Sequence, residues 1–86
     1  MKNEIEVRDI LNVFEKIRSH GERLEHGHVL EGISAFTDHD GYTVYLQGHR
    51  TKLATGFHNT YRLDYEREHD AEQFLKKLKF IDREYN

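Results

Sequence analysis

Seven histidines stand among the 86 residues of this chain, and imidazole is the side chain best suited to ligate a divalent cation or pass a proton near neutral pH. A metal site needs three or four ligands converging at about 2.0–2.2 Å, so what matters is which histidines the fold gathers. The strand pairing argued below predicts two groups: His26 and His28 near His49, and His58 near Asp38, His39 and Asp40. From the second, His39, Asp40 and His58 are the candidate metal ligands. Against this, most of the histidines fall in turns or at strand ends, where a polar side chain is simply solvated, and they show none of the fixed spacing of a ligand motif. Asp38-His39-Asp40-Gly41 also lacks the further ligands and closing Glu of an EF-hand loop. No cofactor is expected.

Other chemistry has less support. The sequence contains no Gly-x-Ser-x-Gly, His-Glu-x-x-His, Gly-x-x-x-x-Gly-Lys or Gly-x-Gly-x-x-Gly, the signatures of nucleophile elbows, zincin helices, phosphate loops and dinucleotide folds. Cysteine is absent, which removes disulfides, thiol nucleophiles and thiolate-bound zinc. Ser34 and His58 are placed on one sheet face, but a Ser and a His without an orienting acid make no triad. The catalytic set is empty, and the balance leans away from an enzyme.

The elements that would position these residues are legible from periodicity. Val7, Ile10, Leu11, Phe14 and Ile17 recur at spacings of three and four, which predicts a helix from about Glu4 to His20, capped by Asn3 with Glu6 and closed by a left-handed Gly21. Glu22 to Gly27 reads as an exposed linker. Asp40-Gly41 between alternating apolar residues is a strong hairpin signal, and it predicts strands at His28 to Thr37, Tyr42 to Gln47 and Lys52 to His58, with Gly48-His49-Arg50-Thr51 as the second turn. Ala71, Phe74, Leu75, Leu78, Ile81 and Tyr85 return to helical spacing, with Asp70 and Gln73 as a capping box. The expected fold is α+β, a single domain over residues 1–86 built as helix, three-stranded antiparallel meander and helix (α-β-β-β-α).

Pairing Thr37 with Tyr42 and Gln47 with Lys52 sorts the side chains into two faces. Ile33, Ala35, Tyr42, Val44, Leu46, Leu53, Thr55 and Phe57 form the core face. Leu30, Gly32, Ser34, Phe36, Thr43, Tyr45, Gln47, Ala54, Gly56 and His58 form the other. On that open face the rings of Phe36 and Tyr45 stand among the small residues Ser34, Ala54 and Gly56, a surface that another molecule can approach closely. The alternating segment Tyr61, Leu63, Tyr65 is a candidate to cover it from within the chain. A non-catalytic interaction or self-associating module is the leading expectation, with a homodimer or a protein partner on this face. The alternative is a small-ligand or metal-dependent protein using the histidines.

Thirteen Lys and Arg against sixteen Asp and Glu give a net charge of −3, so the bulk attraction to phosphate typical of nucleic-acid binders is missing. Helix, three strands and helix is also the element order of double-stranded-RNA-binding domains, which present basic residues at the start of the second helix. Here that position reads Glu66-Arg67-Glu68-His69-Asp70, which repels phosphate, and no nucleic-acid partner is expected. The N-terminal residues show no apolar signal region and no stretch approaches the ~20 apolar residues of a membrane span. The expected location is the cytoplasm, with no membrane partner.

Val13-Phe14-Glu15-Lys16-Ile17-Arg18, Leu30-Glu31-Gly32, Ala35-Phe36-Thr37-Asp38, Asp40-Gly41-Tyr42-Thr43-Val44 and the run from Phe57 to Tyr65 together give the chain a likeness over most of its length. It resembles a small bacterial family of domains of unknown function. The resemblance implies a small cytoplasmic protein and carries over no catalytic residue, because the family has no assigned activity.

Overall fold

A computed structural model describes residues 5–56 and 60–86. Helix α1 (Val7–His20) is followed by strands β1 (Glu22–Leu24), β2 (Gly27–Leu30), β3 (Ile33–Thr37), β4 (Val44–Gly48), β5 (Thr51–Thr55) and β6 (Tyr61–Tyr65), and then by helix α2 (Glu68–Glu84). All six strands form one antiparallel sheet in which spatial order equals sequence order. The helix at each end is as expected. The three-stranded meander is not: among the described residues the sheet has six strands.

Three local causes account for the difference. Glu31 and Gly32 both adopt positive φ, 54° and 79°, and make a two-residue reversal that cuts the expected first strand into β2 and β3. Residues 22 to 27, read as a charged linker, pair as β1 with the start of β2 through Leu24 and Gly27. Tyr61–Tyr65 neither bends away nor covers the open face; it adds to β5 with Leu63 opposite Leu53. The reversal at Glu31 also moves Leu30, expected on the open face, to the helix side, where it faces Ile33 and packs against the core.

The register of β4 with β5 is as expected, with Gln47 opposite Lys52. Between β3 and β4 it is shifted by two residues, Thr37 facing Val44 rather than Tyr42. A shift of two preserves the side-chain alternation, so the core face survives: Ile33, Ala35, Leu46, Leu53 and Thr55 are buried. Tyr42 is not part of it; it lies in the β3–β4 loop and is 63% exposed. Phe57 lies outside the described residues.

Both helices pack on this one face, α1 over β2 to β4 and α2 over β5 and β6, and against each other. Their buried stripes are Ile10, Val13 and Ile17 on α1, and Ala71, Phe74, Leu75, Leu78 and Ile81 on α2. Leu11 shares the spacing of the first stripe but is exposed. Each large aliphatic side chain removed from water here contributes ~1.5–3 kcal/mol, which is what holds two amphipathic helices to one side of a thin sheet.

The helix ends differ in detail from expectation. The cap of α1 is Glu6, whose backbone N–H donates to Asp9 Oδ2 at 3.3 Å, rather than Asn3, which lies outside the described residues. Gly21 is extended (φ −82°) rather than left-handed. Glycine fits there because a Cβ would sit 2.5 Å from the carbonyl oxygens of Ile17 and Val29. The second helix begins at Glu68 with Arg67 as cap residue, which puts Asp70 in the first turn instead of at the cap.

Candidate functional site

The face of the sheet turned away from the helices is built by two rows of side chains. Strand pairing places Glu22, Val29, Ser34, Gln47, Lys52 and Asp64 side by side across all six strands. The second row runs from Leu24 and Gly27 through Phe36, Tyr45 and Ala54 to Arg62. Gly27 lies hard against Phe36, since a Cβ there would come 2.9 Å from the Phe36 Cβ. The open face therefore carries two acids, two bases, and an apolar centre.

That centre is an aromatic stack. Phe36 and Tyr45 are directly opposed on β3 and β4, with ring centroids 5.1 Å apart and planes inclined by 17°. Lys52 of β5 lays its ammonium 4.8 Å from the Tyr45 centroid and 5.8 Å from that of Phe36, within the ~6 Å range of cation–π attraction. Ala54 stands directly opposite Tyr45, Ser34 lies two residues before Phe36 on β3, and Gly56 follows the last residue of β5. Beside Phe36 a shallow groove of about 350 Å³ opens toward β1 and β2, lined by Leu24, His26, His28, Ser34, Phe36 and Gln47. Leu24 is 42% exposed.

All five residues expected for the interaction face, Phe36, Tyr45, Ser34, Ala54 and Gly56, are in the described part of the chain, and the first four share the open face. Lys52 was missed, although it has the same strand parity as Ala54. Leu24 is missed because its segment reads as linker, and Arg62 and Asp64 because theirs reads as a cover for the face. Val29 is missed because one unbroken strand from His28 to Thr37 puts that residue on the core side, and the reversal at Glu31 turns it over. Arg62 donates from Nε to Asp64 Oδ2 at 3.1 Å along the same strand.

The candidate metal residues are differently placed. Asp38 anchors the β3–β4 loop: its Oδ1 accepts the backbone N–H groups of Tyr42 at 3.0 Å and Thr43 at 3.2 Å, and its carbonyl accepts that of Gly41. The hydrogen bonds to the carboxylate, that from Thr43 foremost, hold it below the usual aspartate range. His39 and Asp40 are exposed in this loop, and His58 lies outside the described residues. The other group is not assembled. His28 pairs with Ala35, whereas His49 lines a separate cavity of about 340 Å³ with His69 and Asp70. Among the described residues no three His, Cys, Asp or Glu side chains are grouped to hold a metal ion, and no helix is long and apolar enough to cross a membrane.

Residues 5–86 match the family described as "Protein of unknown function (DUF3081)", and the chain belongs to it. Neither a curated protein nor a solved structure matches the chain.

Proposed function

Taking membership of a family without an assigned activity as the premise, we propose that this protein is a non-catalytic interaction module whose contact surface is the open sheet face and whose partner there is a second copy. The observation that carries the reading is the Phe36–Tyr45 stack with Lys52 beside it, set among small residues on a face that neither helix covers. Covering exposed apolar area contributes ~25 cal/mol per Å², and Ser34 and Ala54 leave room for a flat surface to reach the rings. The charges fit a self-pairing. Glu22 and Asp64 balance Lys52 and Arg62, and a two-fold axis needs only one self-complementary patch. The two larger extents of the chain, 31 and 28 Å, bound a face of the same order as the ~800 Å² that each partner gives to a standard interface.

Sedimentation of the wild type and of Tyr45→Glu at high micromolar concentration tests this. The substitution places a carboxylate in the apolar centre, and the expected result is an assembly of half the wild-type mass with an unchanged far-UV spectrum. Equal masses for the two proteins would remove the face as an interface.

A further inference from the structure

We infer that β6 is a second interface, at which two copies join antiparallel, edge to edge, and continue one sheet through both. This goes beyond the face reading and does not depend on it. Among the described residues β6 pairs only with β5, so its other side offers unpaired backbone N–H and C=O groups, the template on which a further strand adds. Proteins commonly blunt such edges with short strands, Pro, bulges or charged side chains, Lys above all. At the opposite edge β1 is only three residues long. By contrast β6 is a full five residues without Pro, Gly or Lys, and its two charges, Arg62 and Asp64, are of opposite sign and so can pair with a second strand instead of repelling it.

The order of residues in β6 is complementary to itself. Tyr61-Arg62-Leu63-Asp64-Tyr65 reads the same in apolar pattern from either end, with charges of opposite sign at the mirrored positions. Antiparallel pairing centred on Leu63 sets each Arg62 opposite Asp64 of the second copy and each Tyr61 opposite Tyr65, the kinds of cross-strand pair that stabilise a ladder. The neighbouring registers of the same parity set Arg62 against Arg62 or Asp64 against Asp64, and a slip of one residue exchanges the faces. One register is thus selected. In the single chain Arg62 and Asp64 bond each other at 3.1 Å while largely exposed to water; in the joined sheet each exchanges a same-strand partner for a cross-strand one. A two-fold axis between antiparallel strands stands perpendicular to the sheet. Both open faces therefore lie on one side, and the Phe36–Tyr45 stacks of the two copies share a continuous surface.

The edge is tested in the Tyr45→Glu background, where the face contact is removed. Tyr45→Glu is expected to sediment as a dimer. Adding Arg62→Asp, or separately Asp64→Arg, puts like charges opposite at both mirrored positions and weakens this dimer by at least about tenfold. An equimolar mixture of the two variants, one now acidic at both positions and the other basic at both, recovers a heterodimer, which also shows that both are folded. The edge is overturned if Tyr45→Glu is monomeric at high micromolar concentration, if either charge variant dimerises as well as its parent, or if the mixture stays monomeric. Failure of the face reading alone shows separately, as equal masses for the wild type and Tyr45→Glu, whereas a monomeric wild type overturns both.

Discussion

Lys16 of α1 places its ammonium 3.0 Å from Oδ1 of Asp82 on α2 and also donates to the Asp82 backbone carbonyl. The two side chains are 21% and 34% exposed, so this bond bridges the outer seam of the helix pair at a depth where water screens it only in part. Val13 and Ile17 of α1 and Leu78 and Ile81 of α2 belong to the same buried apolar cluster, and the bond ties the two helices together at its margin.

A double-mutant cycle of Lys16→Met and Asp82→Asn measures that bridge. The expected coupling is about 0.5–1.5 kcal/mol, between an exposed ion pair and a shielded charged hydrogen bond. Urea denaturation reads it directly. A coupling indistinguishable from zero would mean that the apolar seam alone aligns the helices.

Gly41 stands at φ 79° in the β3–β4 loop, and a Cβ there would meet nothing within 4 Å. Backbone strain is therefore the whole of the expected effect. Gly41→Val should cost about 1–3 kcal/mol, while the sheet register seen by amide exchange stays as it is. An unchanged melting temperature would show that the loop adopts another conformation.

Acid should find the same loop through Asp38. Its folded-state pKa lies below the ordinary aspartate value of 3.8, chiefly because the carboxylate accepts the Thr43 backbone N–H. A depressed carboxyl pKa stabilises the fold above the unfolded value, and the gain fades as pH falls through the folded value. Asp38→Asn, which carries no charge at any pH, should thus be less stable than wild type at neutral pH, and the gap should narrow below about pH 4. Denaturation midpoints of both proteins across this range check it, and a gap that is constant with pH would exclude the carboxylate as its source.

Much of this molecule is written in local pattern. The stripes Val7 to Ile17 and Ala71 to Ile81 have the period of a helix and nothing else, and Gln47 opposite Lys52 follows from a short turn between alternating strands. What pattern hid was a reversal with weak punctuation. Glu31-Gly32 lies inside a run that alternates well enough to read as one strand, and only the positive φ of both residues reveals the turn. The charged segment 22 to 27 is strand by pairing alone: Glu22 to Leu24 are all exposed, so no burial pattern marks them. Phe36 and Tyr45 were legible as neighbours because a register error of two leaves parity intact. Lys52 above them needed the third strand's parity carried one residue further.

The sequential order of the strands carries a consequence for how the chain reaches this state. Each hairpin closes a short loop, so the sheet can zip up one neighbour at a time at small entropic cost. Joining α1 to α2, by contrast, brings together residues 66 positions apart at Lys16 and Asp82, and we expect that closure to come late. Lys16→Met should then accelerate unfolding while leaving the refolding rate nearly unchanged, and with no proline in the chain no slow isomerisation obscures the comparison. A chevron in which the refolding arm carries most of the loss would instead place the helix pair at the start of folding, as the scaffold on which the sheet assembles.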